Sequence, residues 1–228
     1  MGIIPARFGS IRFPGKPLVN IEGKTMIQRV YEQCYQAKLL DKVIVATDCP
    51  YIFKTITDIG GNVVLSKQEH ENGTSRCAEA YTLSGETFDY IINIQGDEPF
   101  INPNQIDELV TFVVEQKPEI ATQINKEFQS EFLENPNIVK VVTPDGLVAK
   151  NFTRKAIPLT QNHFYKHIGL YAFKVDVLQK IVLLKLSANE IKERLEQLRW
   201  LDNNFNILLQ KTEYQSKSID RLEDLLRL

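Results

Sequence analysis

Short apolar runs alternate with helical patterns through the first half of the chain. Lys42–Thr47 ("KVIVAT") is rich in β-branched residues and reads as a buried strand, while Met26, Val30 and Cys34 recur every four residues, as on one face of a helix. Further strands are predicted at "GII", "NVVL" and "DYIINIQGDEP", and further helices at "YIFKTITDIG", "SRCAEAYTL" and "NPNQIDELVTFVVEQ". Such alternation predicts a parallel sheet with right-handed crossovers.

The pattern changes after about residue 125. The segments "IVKVVT", "LVAKNF" and "HFYKHIGLYAF" read as strands without long helices between them. A helical stretch from about Ala188 to Leu201 then precedes a last strand at "FNILLQ". We therefore predict an α/β fold: one domain over residues 1–228, with a doubly wound, mostly parallel sheet and an inserted lobe of mixed strands at about residues 126–200.

Charge narrows the choice of partners. The 228 residues carry a net charge of −2, so the molecule as a whole is not built to coat nucleic acid or an anionic membrane. Positive charge is instead local. The first 24 residues hold one acid, Glu22, against four cations, which are Arg7, Arg12, Lys16 and Lys24.

Cysteine usage and hydropathy predict a cytoplasmic protein. The three cysteines are odd in number and form no CxxC pair, so neither a disulfide framework nor a zinc site is indicated. No apolar run approaches the roughly 18 residues of a membrane span, and the start "MGIIPAR" does not resemble a signal peptide.

The opening loop, "IPARFGSIRFPGKPL", follows the first predicted strand. Its glycines allow backbone N–H groups to approach an anion, and its arginines and lysine add charge. It matches neither the GxxxxGK[ST] phosphate loop nor the GxGxxG dinucleotide fingerprint. Charge alone does not distinguish between two interpretations of this loop, a solvated basic turn and an anion-binding site.

The segment "NIQGDEP" places Asp97 directly after a buried strand. Because ligands of open parallel sheets bind beyond the carboxyl ends of the strands, Asp97 and the basic loop are expected at one edge. Mg²⁺ favours one or two carboxylates together with phosphates, although "GDEP" is also good turn chemistry. The two features together favour a nucleotide site, and nucleotidyl transfer is the reaction that we predict.

Six segments occur in an order that closely resembles the 3-deoxy-manno-octulosonate (Kdo) cytidylyltransferase family. They are "IPARFGSIRFPGKPL", "HENGTSRCAEA", "INIQGDEPFI", "NPNIVKVV", "YKHIGLYAF" and "ERLEQLRWLDNNFNI". The resemblance runs from Ile3 to about Leu225. It implies a Rossmann-like sheet of the nucleotide-diphospho-sugar transferase type, and a Mg²⁺-dependent reaction in which CTP and Kdo give CMP-Kdo and pyrophosphate, for lipopolysaccharide synthesis. A homodimer formed through the inserted lobe is also implied.

The resemblance implies roles for individual residues. Lys16, Arg7 and Asp97 are the catalytic candidates, and Lys16 would stabilise charge in the transition state. Asp97 and Asp220, the latter in "SKSIDRLEDL", would bind Mg²⁺. The nucleotide would be bound by Arg7, Arg12, Lys16, Gly73, Thr74, Arg76 and Gln95.

The same resemblance assigns the sugar acid to Arg154, His167, Glu193 and Gln197. Arg154 could bind the Kdo carboxylate through two hydrogen bonds. On the residues alone, His167 equally fits a hydrogen-bonded structural histidine. Glu193 and Gln197, four apart, would share one helix face, which could instead face solvent.

The chain departs from the family pattern at Ser75, usually Asp, at Lys155, usually Ser, and in the segment before the last predicted helix, which lacks the usual prolines. These departures bear on sugar choice. One alternative is therefore a cytidylyltransferase for 8-amino-Kdo or a sialic acid. A nucleotide-sugar glycosyltransferase is a less favoured alternative, because "QGDEP" lacks the DxD acids that such enzymes usually have. A non-catalytic nucleotide sensor is a third reading.

Overall fold

The computed structural model describes residues 1–9, 13–67, 69–125, 134–156, 164–215 and 218–225. The strands are β1 (Gly2–Ala6), β2 (Asn20–Ile21), β3 (Lys24–Thr25), β4 (Val43–Thr47), β5 (Val63–Leu65), β6 (Tyr90–Asn93), β7 (Ile120–Asn125), β8 (Lys140–Val142), β9 (Asn151–Thr153), β10 (Phe164–Lys174) and β11 (Ile207–Lys211). The helices are α1 (Met26–Tyr35), α2 (Pro50–Asp58), α3 (Gly73–Ser84), α4 (Pro103–Gln116), α5 (Val175–Ile181), α6 (Ala188–Glu193), α7 (Gln197–Asp202) and α8 (Leu222–Leu225), and Lys16–Leu18 forms a 3₁₀ turn.

The main sheet has the strand order β11-β7-β10-β6-β1-β4-β5. Neighbours pair in parallel except at β10, which runs antiparallel to both β6 and β7. The predicted α/β class with a mostly parallel sheet is confirmed. No helix in the described part of the chain is long and apolar enough to cross a membrane.

Successive residues of the central strands pack on opposite faces of the sheet. Ile3 belongs to a core cluster with α3, α5 and α7, whereas Ile4 belongs to a cluster with α1, α2 and α4. Side chains along a strand alternate in direction, so helices cover both faces of this sheet. The strand residues are buried on both faces of the sheet, which explains why the strand segments read as continuous apolar runs.

Strand β10 joins the central sheet to the mixed strands. Its first residues pair with β8, which also pairs with β9, while Tyr171–Lys174 pairs with β6. The register against β7 shifts between Ile168 and Tyr171. One strand therefore belongs to both parts, and the lobe boundary at about residues 126–200 stays a prediction.

The predicted single helix from Ala188 to Leu201 is wrong. Arg194 has a φ of 56°, in the left-handed region, and its N–H donates to the Glu190 carbonyl, which ends α6. The chain then starts again as α7. Glu193 and Gln197 consequently do not share one helix face, contrary to the expectation from their spacing.

Candidate active site

A cleft of about 250 Å³ opens beyond the carboxyl ends of β1 and β6. This is the edge at which open parallel sheets bind ligands. Seven of the predicted site residues line it, which are Arg7, Lys16, Gly73, Arg76, Gln95, Asp97 and Asp220. Arg12 falls in residues 10–12, outside the described part of the chain.

Gly96 allows the loop after β6 to cross closely over β1. A Cβ atom placed on Gly96 would lie 2.9 Å from the Pro5 carbonyl oxygen, closer than a side-chain carbon can approach backbone. The flanking residues Gln95 and Asp97 line the cleft beside Arg7 because this crossing is so tight. The glycine of "QGDEP" thus has a steric role beyond that of a turn residue.

Lys16 links the two predicted metal ligands. It follows Gly15, whose φ of 72° turns the chain into the 3₁₀ segment. The Lys16 Nζ donates to Asp97 Oδ2 at 2.7 Å and to Asp220 Oδ1 at 3.4 Å. The ammonium group therefore lies between two carboxylates, and its side chain is only 13% exposed.

The geometry of these carboxylates fits a magnesium ion. The Ile219 N–H donates to the Asp97 carbonyl at 2.9 Å, which fixes the C-terminal segment beside the loop after β6. Both carboxylates already face one cation, Lys16. Among the described residues, no group of three or more histidine, cysteine or acidic side chains is placed to hold a metal ion. A pair of carboxylates that share a cation with phosphate oxygens is nonetheless the usual arrangement for Mg²⁺.

Helix α3 begins at the rim of the cleft. Asn72 is its N-cap and accepts a hydrogen bond from the Ser75 N–H at 2.8 Å, so Gly73 lies at the cleft wall. Arg76 is 3% exposed and donates to Asp48 Oδ2 at 2.7 Å, which ties α3 to the segment after β4. Its positive charge also reaches the cleft.

Ser75, one of the departures from the family pattern, contacts a histidine. His70 Nδ1 lies 3.1 Å from Ser75 Oγ, and His70 Nε2 lies 2.5 Å from Glu79 Oε2. This connects the segment before α3 to the second turn of the helix. A structural role for His70 agrees with these contacts.

Two contacts connect the nucleotide side with the predicted sugar side. The Gln95 amide donates to the Gly169 carbonyl on β10 at 3.0 Å. The Thr74 hydroxyl donates to Glu196 Oε2 at 3.0 Å, so this side chain points toward residues 193–197. Gln95 lines the cleft, whereas Thr74 is buried behind it.

Arg154 directly follows β9, and Glu193 is the last residue of α6. Arg154 donates to the Asn137 carbonyl at 3.1 Å, and Glu193 accepts from Thr153 Oγ1 at 3.2 Å. Lys155, another departure from the family, lies 3.3 Å from Glu193 Oε1. Burial would raise the pKa of Glu193, but the hydrogen bonds from Lys155 and Thr153 hold it below its usual value.

His167 lies in an apolar, aromatic setting on β10. Its Nε2 is 3.0 Å from Thr122 Oγ1, and its ring meets Phe152 edge-on at 5.3 Å between centroids. Burial, with a smaller effect from the positive charge of Arg154, lowers the pKa of His167 to about 3. The ring is therefore neutral near pH 7, and it has the protein partner expected of a structural histidine.

Comparisons with known proteins identify the family. A cytidylyltransferase family model matches residues 1–213. The 3-deoxy-manno-octulosonate cytidylyltransferase of Parabacteroides distasonis is 47% identical, with 99% of this chain and 94% of that protein covered. That of Cytophaga hutchinsonii is 45% identical, with 100% and 95% covered. This chain belongs to the 3-deoxy-manno-octulosonate cytidylyltransferase family.

A solved structure supports the same family assignment. The structure of CMP:2-keto-3-deoxy-manno-octonic acid synthetase complexed with CTP superimposes with a TM-score of 0.91 at 35% identity. The match covers 99% of this chain and 95% of that chain. The resemblance inferred from the six sequence segments is confirmed.

Glu196 is a candidate site residue of this family member that the sequence did not single out. It lies between Leu195 and Gln197, both buried, and no spacing distinguished it from its neighbours in "ERLEQLR". Burial raises the pKa of Glu196 to about 7, against the opposing effects of the Thr74 hydrogen bond and the charge of Arg199. A carboxyl group whose pKa lies near neutral pH, between the nucleotide side and the predicted sugar side, is a candidate functional group.

The raised pKa of Glu196 predicts that Glu196→Gln stabilises the protein at alkaline pH. The folded state holds the Glu196 proton up to about pH 7, whereas the unfolded state releases it near the ordinary value. The stability that the carboxyl contributes therefore falls as pH rises between those values. We expect the substitution to raise the free energy of unfolding by up to about 3 kcal/mol at pH 8, and by much less at pH 5, in denaturant titrations.

Glu193→Gln is the matched control for this prediction. Its folded-state pKa is lowered, so its contribution is present above the unfolded value and is lost as pH falls. Glu193→Gln should therefore destabilise the protein at pH 8 and have less effect in acid. Equal effects of Glu196→Gln at pH 5 and pH 8 would contradict the assignment of a raised pKa.

Proposed function

We propose that this protein transfers the cytidylyl group of CTP to the anomeric hydroxyl of Kdo. The hydroxyl oxygen attacks the α-phosphorus, the bond to the bridging oxygen of the β-phosphate breaks, and pyrophosphate leaves. The hydroxyl proton is released to water or taken up by the departing pyrophosphate. The observation that supports this function most directly is the convergence of Arg7, Lys16, Asp97 and Asp220 on one cleft of a family member.

Each cleft residue has a task that follows from its chemistry. Arg7 and Lys16 attract the triphosphate and offset the charge that develops on the α-phosphate. The start of α3 presents Gly73 at the cleft wall, where the absence of a side chain lets α3 approach Pro5 closely, and Arg76 contributes positive charge at the same wall. Gln95 offers an amide at the junction with β10.

Magnesium is part of the proposal. Asp97 and Asp220 would hold it, since both carboxylates already face a common cation position. When bound, Mg²⁺ neutralises phosphate charge and orients the nucleotide for in-line displacement. Lys16 then turns from the carboxylates to the phosphates. A rearrangement of this kind needs no backbone movement, because a lysine side chain has four rotatable bonds.

The sugar acid is assigned to the side of the cleft beyond Gln95. Arg154 would pair with its carboxylate, and Glu193, Gln197 and neutral His167 would accept or donate hydrogen bonds to its hydroxyls. Lys155 partly offsets the charge of Glu193. This reduces the attraction of the pocket for an additional amino group, which favours Kdo over 8-amino-Kdo.

Arg154→Ala is expected to raise the KM for Kdo by about tenfold or more while the KM for CTP changes little. Of the four residues proposed for the sugar site, Arg154 alone offers two parallel donors to a carboxylate. Steady-state kinetics with each substrate varied in turn measures both constants. Lys150→Ala removes an exposed cation of the same region and is the matched control. Equal losses for both substrates would move Arg154 out of the sugar site.

Pyrophosphate release tests the proposed function as a whole. CTP and Mg²⁺ are offered with Kdo, 8-amino-Kdo or N-acetylneuraminate in parallel reactions. Release with Kdo is the expected result. Release with another acid alone would preserve the cytidylyltransferase chemistry and overturn the substrate. CTP binding without release from any of the three would overturn the enzymatic function.

The setting and assembly of the enzyme are further parts of this proposal. We expect it to act in the reducing cytoplasm, where cysteines such as Cys34, Cys49 and Cys77, which are free and buried, stay reduced. We also expect a homodimer formed through the mixed-strand lobe. Light scattering coupled to size-exclusion chromatography distinguishes a dimer from a 26.2 kDa monomer.

A further inference from the structure

The hydrogen bond between Thr74 and Glu196 joins two segments that are 122 residues apart in the sequence. Thr74 is the second residue of α3 and belongs to the nucleotide loop, defined here as residues 72–76. Glu196 directly precedes α7 and belongs to the acceptor segment, defined as residues 193–197. Thr74 is almost completely buried, at 2% exposed, so its end of the contact is shielded from water, whereas Glu196 is partly exposed.

Both ends of the bond are held by close packing. Next to Thr74, a Cβ atom on Gly73 would lie 3.1 Å from Pro5 Cγ, so the nucleotide loop sits tightly on β1. Next to Glu196, Leu195 and Gln197 are 4% and 6% exposed. Neither end can shift without moving its neighbours, and those neighbours form the wall of the cleft on one side and the proposed sugar site on the other.

The charges around Glu196 make Thr74 its main partner. Arg199 lies near enough to favour the ionised carboxylate, but its Nε and Nη2 both donate to Glu190 at 2.6 Å. Burial raises the pKa of the Tyr171 hydroxyl and of the Cys77 thiol, and the negative charge of Glu196 raises both as a smaller effect. A largely buried carboxyl group that loses its hydrogen-bond partner is left unsatisfied whether it is ionised or protonated, and movement of the segment toward water would relieve that cost.

We propose that Glu196 is a positioning residue, and that the hydrogen bond from Thr74 holds the acceptor segment in register with the nucleotide loop. The inference rests on the proposed function, because it assumes that residues 193–197 bind the sugar acid. It implies that a side chain on the nucleotide side of the site controls the use of the sugar. If the hydrogen bond served packing alone, its loss would lower stability but would not raise the KM for Kdo more than the KM for CTP.

Kinetics of five variants test this inference, namely Thr74→Val, Thr74→Ser, Glu196→Ala, Glu196→Gln and the Thr74→Val/Glu196→Ala double variant. Thr74→Val should raise the KM for Kdo about tenfold and leave the KM for CTP within about twofold. Thr74→Ser restores the hydroxyl and should restore the KM. Glu196→Gln keeps an acceptor oxygen and should resemble the wild type in KM at pH 7. The double variant should be no worse than the worse single variant, because both remove one bond.

Additive losses in the double variant, or a rise in the KM for CTP alone, would overturn the inference. Hydrogen exchange provides a readout that needs no turnover. The amides of residues 193–197 should exchange faster in Thr74→Val than in the wild type, and unchanged exchange would also overturn it. If wild-type protein releases no pyrophosphate with Kdo while this exchange difference persists, the proposed function fails and the link between the segments stands.

Discussion

Asp97→Asn should lower turnover by about a thousandfold while the free energy of unfolding changes by about 1 kcal/mol or less. Asparagine keeps the shape of the side chain but removes the negative charge that faces Lys16 and, in the proposal, Mg²⁺. The side chain is 27% exposed at the cleft, so the substitution leaves the buried core intact. Pyrophosphate release measures turnover, and denaturant titration measures stability.

Asp58→Asn provides the matched control for this loss. Asp58 pairs with Lys54 on the exposed face of α2, away from the cleft, so removing its charge should leave turnover unchanged. Asp220→Asn should resemble Asp97→Asn, because both carboxylates face the same ammonium group. Turnover near the wild-type rate in Asp97→Asn would remove this residue from the metal site and from the catalytic machinery.

Local sequence patterns were sufficient to predict most elements of the fold. The apolar runs around Ile3, Ile44 and Ile91 became strands of the central sheet, since each is buried on both faces. The antiparallel position of β10 between β6 and β7 was not predictable in this way. It depends on pairing between residues far apart in the chain, and strand patterns do not specify their partners.

Arg194 shows where helix propensity is overridden. Arginine is a good helix former, so nothing in "ANEIKERLEQLRWL" marks an end to the helix. The left-handed conformation at Arg194 is unusual for a residue other than glycine. It is tolerated because Leu195, Leu198 and Trp200 beyond it enter the core. Tertiary packing thus decided the break, and with it the placement of Glu196.

The candidate site could be predicted from the sequence only in part. A basic loop and an acid after a strand both lie at the carboxyl edge of a parallel sheet, so Lys16 and Asp97 could be expected near one another. The contact of Asp220 with Lys16, across 204 residues, requires that the C-terminal segment return to the sheet. Only the family resemblance indicated this. The bond from Thr74 to Glu196 had no signal in the sequence, because neither residue type nor spacing marked it.

Lys16→Met is expected to reduce turnover by about a hundredfold to a thousandfold, because methionine preserves much of the aliphatic stem and removes the charge that would stabilise the transition state. The substitution also leaves Asp97 and Asp220 facing each other without the ammonium group that lies between them. Repulsion between these carboxylates should lower the melting temperature in the absence of a divalent cation.

Magnesium should reverse that loss of stability, and this sets Lys16 apart from an ordinary surface cation. If Asp97 and Asp220 bind Mg²⁺ as proposed, the ion must displace the ammonium group from the two carboxylates in the wild type, whereas in Lys16→Met the position is open to it. Because a ligand stabilises the folded state more when it binds more tightly, Mg²⁺ should raise the melting temperature of Lys16→Met more than that of the wild type. Lys24→Met, which removes an exposed cation paired with Glu32, should show the wild-type response. An equal response to Mg²⁺ in all three proteins would mean that Asp97 and Asp220 do not form the metal site, even if Lys16 is essential for turnover.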